Sequence, residues 1–390
     1  MTSPQTLRVS PRSPRRDATI NMPNPLRIAF MTTLGRNVGD EFIREGVRSF
    51  FDDVLGGAYE PLYVDKHDLE TLHRRVMDES IDVQDKFRDA DVIVQAGAPV
   101  YWANGRFRSY NAEWAQALWF DRIFRLGSEK TILNLGAGAG QKSEDDIETL
   151  LGDPQLIDFA EQAGRACAWT TARDPLASQF LQGCNVEHEL LPCPAFHAAR
   201  RVVGRGAMPK SNNLLAVNFM PKAGHYRLKP ETDESKWCAT INELLPMLRK
   251  DHKLLFVAHD QAEAQFHRTL AHGDESIFFS HDYRDYMALF SRVKGIFANR
   301  VHAAVCVAGF GRPAVIVGND ARIGIARPIG IPAKDSSQAT AHWIEDALQQ
   351  QFAEAEKLSR RRITLREESA HRYVSRIREL LERSVIAKAA

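Results

Sequence analysis

The chain has 390 residues, 44% hydrophobic and 26% charged, with 51 Lys+Arg against 50 Asp+Glu and a formal net charge of +1. Single cores stop growing at about 250–300 residues, so this length implies two domains of ordinary soluble composition. The near-zero charge excludes a whole-molecule field for nucleic acid or an anionic membrane, so any anion site must be local.

Residues 1–24 are rich in Ser, Pro and Arg and lack the apolar centre of a secretion signal, which reads as a disordered extension. From residue 25 short apolar runs alternate with amphipathic stretches. Strands are expected at 26–31 (LRIAFM), 91–95 (DVIVQ), 131–135 (TILNL), 166–170 and 187–191, the second and third ending in Gly-rich turns. Helices are expected at 40–53, 110–126 and 175–182. Residues 198–212 are basic and aperiodic, as a linker would be. The alternation then restarts, with strands at 213–219 (NLLAVNF), 253–258, 276–279, 294–298 and 313–317. Helices fall between them at about 234–250, 260–270, 283–292 and 301–309. The last 50 or so residues are helical and charged, consistent with a strap across both domains. The expected organisation is a Rossmann-like domain at 25–197, a linker at 198–212, a second Rossmann-like domain at 213–335 and helices at 336–390.

The five cysteines, Cys167, Cys184, Cys193, Cys238 and Cys306, are scattered and form no CxxC pair or zinc-ligand spacing. They indicate a reducing compartment and no metal site. No apolar run reaches about 18 residues, so no integral membrane segment is expected and the cytoplasm is the expected location.

Two open parallel sheets in tandem face each other across a cleft, and their ligands bind beyond the carboxyl edges of the strands. The loops after strands are therefore the ones to search. In 32–41 (TTLGRNVGDE), Gly35 and Gly39 allow close backbone approach to a ligand, and Asn37 or Asp40 caps the following helix. Gly97 and Gly136 sit in the turns QAGAPVY and LGAGAGQ, where backbone could wrap a ligand, and Tyr101 and Trp102 offer a sugar-stacking surface or a lid on the core. Arg173 precedes a helix begun by Asp174 and Pro175; it binds an anion or pairs with a neighbouring acid. Lys222, His225 and Arg227 form a basic cluster after a strand, suited to phosphate or carboxylate or simply solvated. The sharpest segment is 298–313 (ANRVHAAVCVAGFGRP). It puts Arg300 and His302 at the start of an apolar helix, where free N–H groups favour an anion and depress the basicity of a histidine.

Arg300, His302, Ala303, Gly311 and Pro313 together resemble the C-terminal signature of polysaccharide pyruvyl transferases. RNVGDE at 36–41, ARDPLASQFL at 172–181, LPCPAF at 191–196 and the lead-in at 281–300 resemble further segments of that family in the same order, so the likeness spans 26 to about 327. Cys193 stands where the family has an aspartate, and the family's Gly-rich turn is reduced to Gly97, Ala98 and Pro99. The resemblance implies a GT-B-like α/β fold and a cytoplasmic transferase of polysaccharide biosynthesis. Its donor, phosphoenolpyruvate, would be a co-substrate with no further cofactor, and its pyruvyl group would pass to two hydroxyls of a saccharide or glycolipid-linked sugar as a ketal, with release of phosphate. It implies His302 as acid/base with Arg300 beside it, and Arg300, Arg173, Lys222 and Arg227 on the donor anions. Asn37, Gly39 and Asp40 would line the acceptor side, with Gly97 and Gly136 as further substrate contacts. A homo-oligomer is compatible with all of this. Two other classes stay open. One is a nucleotide-sugar glycosyltransferase, with Asp320 or Asp282 holding a ribose; the other is a non-catalytic sugar-binding protein of the same fold.

Overall fold

Runs such as IAFM and VIV have no polar face, as strands covered by helices on both sides require, and Ile28, Phe30, Ile93 and Val94 are fully buried. The computed structural model describes residues 25–35, 37–66, 82–103, 119, 123–126, 129–203, 209–224 and 233–389; the expected extension at 1–24 lies outside them. The first sheet contains β1 (Leu26–Thr32), β2 (Tyr59–Asp65), β3 (Val92–Tyr101), β4 (Thr131–Ala139), β5 (Trp169–Ala172) and β6 (Glu189–Leu190), in the order β2-β1-β3-β4-β5-β6. The second contains β7 (Leu214–Asn218), β8 (Lys253–Val257), β9 (Ser276–Phe278), β10 (Gly295–Ala298), β11 (Ala314–Gly318) and β12 (Ala333–Asp335), in the order β12-β11-β10-β7-β8-β9. Each strand pairing in both is parallel. The strand order reverses between β1 and β3 and again between β7 and β10, so each sheet has one topological switch point.

The helices that matter to the site are α1 (Val38–Leu55), α2 (Asp82–Asp89), α3 (Pro154–Ala166), α4 (Pro175–Gly183), α5 (Glu234–Asp251), α6 (Gln261–Leu270), α7 (Tyr283–Phe290), α8 (Val301–Gly309), α9 (Ala341–Ala353) and α10 (Ala355–Ala389). Most start at an Asp, Asn or Thr whose side chain accepts from the first-turn N–H groups: Asn37, Asp153, Asp174, Asp233, Asp260, Asp282 and Thr340. Among the described residues no helix is long and apolar enough to cross a membrane.

The strands β2, β3 and β4 depart from expectation. β3 and β4 do not end at their glycines. Gly97 and Gly136 take positive φ values of 62° and 71°, the strands kink, and pairing resumes at Ala98↔Ala137 and Pro99↔Gly138. β2 went unexpected because YEPLYVD carries a proline; it is an edge strand, where a missing N–H is tolerated.

The turn Pro194–His197 is gripped between α1 and α8. A Cβ on Gly46 would fall 1.7 Å from the Pro194 carbonyl oxygen, and one on Gly309 would fall 2.1 Å from that of Phe196. The two helices thus close on one turn, which fixes their N-terminal ends relative to each other. α10 spans both halves. Tyr373 stacks on Phe50 of α1, ring centroids 4.2 Å apart, while Arg366 donates to Gly309 O (2.8 Å) and Arg362 to Arg312 O (2.6 Å). Arg366 thereby caps the carboxyl end of the helix whose amino end carries His302.

Candidate active site

On the C-terminal side two buried asparagines lock the strand ends. Asn218 Nδ2 donates to Val257 O and to Glu263 Oε2, both 2.9 Å, and its Oδ1 accepts from the Arg300 N–H at 2.9 Å. Asn299 Oδ1 accepts from Met220 N–H (2.8 Å) while its Nδ2 donates to Val317 O (2.8 Å). Both lie at or beside the β7/β10 switch point, so α8 leaves the sheet in a fixed direction. Arg300 is its N-cap and supplies no side-chain cap. The first turn, with His302 in it, points across to the other lobe.

On the N-terminal side Asn37 caps α1, accepting from Gly39 N–H at 3.0 Å. Gly39 abuts the histidine: a Cβ there would sit 3.0 Å from His302 Nδ1, so glycine is what lets the two helix ends meet. One residue on, Asp40 is buried and pairs with Lys66 at 3.3 Å. Burial pushes its carboxyl up, but Lys66, the Thr33 hydroxyl, His302 and Arg173 together outweigh this and hold it far below the usual carboxylate range.

Arg173 is the least expected feature of this wall. It is 0% exposed, and none of its three guanidinium nitrogens has an oxygen or nitrogen partner among the described residues. It packs over Gly138, where a Cβ would fall 2.4 Å from Arg173 Nε. The Cys193 thiol beside it is pushed up by burial more than the arginine pulls it down, so it stays neutral and offers no counter-charge. Asp174, next in sequence, spends its oxygens on Ala177 N–H (2.8 Å) and Ala139 N–H (3.2 Å). Its charge acts through space on the buried carboxyls of Asp40 and Asp174, favouring their ionised forms, but its N–H donors are unmet, and buried donors without an acceptor mark a candidate ligand-binding position.

His302 lies among these groups. Its Nε2 is buried with no hydrogen-bond partner among the described residues. Burial first, then Arg173, Arg322 and Lys66, drive its basicity well below that of an ordinary histidine, against the opposing pull of Asp40. The imidazole is therefore neutral at rest. The crevice around it is lined by Asn37 and Gly39 from one lobe and by His259, Asn299, Arg300, Val301, His302, Ala303 and Arg322 from the other.

The structure thus brings together His302, Arg173, Asn37, Gly39 and Asp40. Arg300 lines the same crevice, but its guanidinium turns to α6, donating from Nε to Glu263 Oε1 (2.7 Å) and from Nη2 to Asp260 Oδ2 (2.9 Å), so two carboxylates already hold it. Lys222 pairs with Glu234 at 3.4 Å near the surface, away from the crevice. Arg227 and His225 lie outside the described residues. Gly97 and Gly136 are glycines for packing, since a Cβ would strike Ile43 Cγ2 at 2.3 Å and Pro194 Cδ at 2.6 Å respectively. Tyr101 and Trp102 are core, the former against Phe159 and Phe180, the latter under Gly140. Asp320 is bound by Arg322 (2.6 Å) and Asp282 by Arg284 (3.1 Å), each also capping its own helix, so neither carboxylate is set out for a ribose.

Three site residues had no signal in the sequence reading. Lys66 follows the unrecognised β2, Arg322 lies in a 3-10 stretch after β11, and His259 precedes Asp260 in what reads simply as a helix start.

Comparison with known proteins agrees with this architecture. The S. aureus MnaA–UDP co-structure superposes with a TM-score of 0.52 at 10% identity, covering 92% of this chain and 97% of that one. The glycotransferase of kitacinnamycin gives 0.46 at 13% identity, covering 93% and 100%, and the E. coli heptosyltransferase WaaC with ADP 0.43 at 10%, covering 85% and 99%. The fold is GT-B-like: two parallel-sheet α/β domains across a cleft. No curated protein sequence matches the chain. The family model described as polysaccharide pyruvyl transferase matches residues 37–321, which includes both walls of the crevice. The chain is a transferase that belongs to the polysaccharide pyruvyl transferase family.

Proposed function

We propose that the protein transfers the pyruvyl group of phosphoenolpyruvate to two hydroxyls of one saccharide, forming a cyclic ketal and releasing phosphate. The observation that carries this reading is Arg173, a fully buried guanidinium with no oxygen or nitrogen acceptor among the described residues, set in the same electrostatic cluster as His302. The donor carries a phosphate and a carboxylate, so it needs more than one cation. Arg173 lies near His302 with its N–H donors unmet, Lys66 and Arg322 add positive charge there while paired with Asp40 and Asp320, and the α8 N-terminus adds its dipole.

The chemistry then follows. A proton goes to the methylene carbon of the donor, and a sugar hydroxyl bonds to the adjacent carbon as its own proton leaves. Phosphate departs with its bonding electron pair, a second hydroxyl takes its place, and that hydroxyl's proton is released. His302 serves as the proton carrier through Nε2. Its neutral resting state suits the hydroxyl deprotonations, and the donor's negative charge raises its basicity so that it also takes up the proton needed for the methylene. Arg300, gripped by Glu263 and Asp260, acts as a positioning residue that sets the start of α8.

The test is phosphate release from phosphoenolpyruvate in the presence of a saccharide acceptor pool. Wild-type protein should turn over. His302→Asn should lose about 10²–10⁴ in rate while keeping its fold by circular dichroism. Full turnover in that variant would remove the assignment.

A further inference from the structure

A second crevice of about 240 Å³ opens beside the first and is lined by Gly35, Val38 and Glu41 from one lobe and by residues of the α6 and α7 approaches from the other, including His259, Asp260, Gln261, Ser280 and Tyr283. His259 lines both crevices. It is 9% exposed, held edge-on against Phe42 and Tyr286 at 6.4 and 5.1 Å between centroids, and neither ring nitrogen has a partner among the described residues. An imidazole buried to this degree without a hydrogen bond costs roughly 1–3 kcal/mol for each unmet polar group, which a bound ligand would recover.

The rest of the lining describes the ligand. Glu41, Asp260, Gln261 and Ser280 supply oxygens and an amide, Phe279 and Tyr283 supply ring faces, His281 adds a second imidazole, and among the described residues no lysine or arginine lines the cavity. The carboxylates are already partly neutralised, Glu41 by Arg44 and Asp260 by Arg300. Acceptor oxygens beside aromatic faces suit the hydroxyls and apolar ring face of a sugar, and the two wall carboxylates disfavour a diphosphate.

We infer that this second crevice is the acceptor subsite, that its occupant is an uncharged saccharide rather than a nucleotide-linked one, and that His259 hydrogen-bonds an acceptor hydroxyl where the two crevices meet. The inference deepens the proposed function and rests on it for the word acceptor, though not for the binding itself. It moves the acceptor from the loop of Asn37, Gly39 and Asp40 outward to the gap between that loop and α6–α7.

Saturation-transfer NMR on the full chain tests it, with lactose, cellobiose, mannobiose and chitobiose as neutral probes and UDP-glucose as the charged one. At least one neutral disaccharide should bind. Gln261→Trp, at an exposed helix position where folding is safe, should weaken that binding at least tenfold, as should His259→Asn. Overturning results are binding of UDP-glucose alone, no binding of any neutral probe, or undiminished binding in Gln261→Trp. Calorimetry with phosphoenolpyruvate on the same samples separates the two readings. Gln261→Trp should keep the donor Kd within twofold, whereas a wild-type protein that binds a neutral disaccharide but no phosphoenolpyruvate would sink the donor reading and leave the saccharide crevice standing.

Discussion

At the scale of single residues the account turns on groups that are costly to the fold. Arg173 is buried with no oxygen or nitrogen acceptor among the described residues, while its charge favours the ionised forms of Asp40 and Asp174, so its replacement by a neutral chain of similar length trades one burial cost for another. Arg173→Met should therefore melt within a few degrees of wild type in differential scanning calorimetry while losing donor affinity about 100-fold, roughly 2.7 kcal/mol. A melting temperature several degrees lower would show that the guanidinium supports the fold instead. His302, kept neutral by burial and by Arg173, should gain a proton when an anionic donor arrives. Calorimetric enthalpies of phosphoenolpyruvate binding, measured near pH 7 in buffers of different ionisation enthalpy, should differ as net proton uptake requires; equal enthalpies would contradict the coupling. His302 and Arg173 were legible in the sequence because Arg173 directly follows an apolar strand and His302 stands in the first helical turn after one, where an open parallel sheet presents its ligands. Lys66, Arg322 and His259 were not. Each is brought in by tertiary packing, and their local sequence carries only turn or cap chemistry. Arg300 shows the converse, since its place in the motif was plain but its carboxylate partners on α6 come from sequence positions 260 and 263.

At the scale of elements the site depends on two helix ends held nose to nose. α1 and α8 close on the Pro194–His197 turn through Gly46 and Gly309, and Gly39 then touches His302. An added methyl at Gly309 has only backbone to displace. Gly309→Ala should destabilise the protein by about 1–3 kcal/mol or more, read in urea unfolding, and should also lower kcat, because moving α8 by a fraction of an ångström displaces His302 from the opposite wall. A variant of wild-type stability would show that the turn yields easily. The Rossmann-like alternation was readable from the apolar runs alone. What escaped was the course of β3 and β4 through their glycines: a positive φ reads as a chain reversal in sequence, whereas here it is a kink within a continuing ladder.

At the scale of the molecule, burial of titratable groups makes stability depend on pH. His197, His259 and His302 have their basicity driven well below the usual value and His267 is lowered to about 4, burial being the first cause in each. In the unfolded chain all four protonate near pH 6.5, so below that pH the unfolded state binds more protons and stability falls as pH falls. Asp174, raised to about 6 by burial, and Glu41 and Glu263, raised for the same reason, act in the opposite sense at lower pH. Between pH 7.5 and 6 the histidines dominate, each contributing up to about 1.4 kcal/mol per pH unit below its unfolded pKa. His197 touches no ligand crevice and packs among Phe50, Phe196 and Tyr373, so His197→Phe should flatten the stability profile over that range. An unchanged slope would mean that His197 is not one of the groups responsible.

The strap α10 and the α1–α8 contact hold the two lobes together, and the Arg173 guanidinium lies buried near His302 with its N–H groups unmet among the described residues, a positive charge set for an anion. Titration calorimetry of the wild-type protein and of Arg173→Met with phosphoenolpyruvate, and with uridine diphosphate as the rival, measures that charge directly. Phosphoenolpyruvate should bind the wild type, lose about two orders of magnitude of affinity in the variant, and outcompete uridine diphosphate. Tight binding of uridine diphosphate with none of phosphoenolpyruvate, or donor binding indifferent to Arg173, would contradict it.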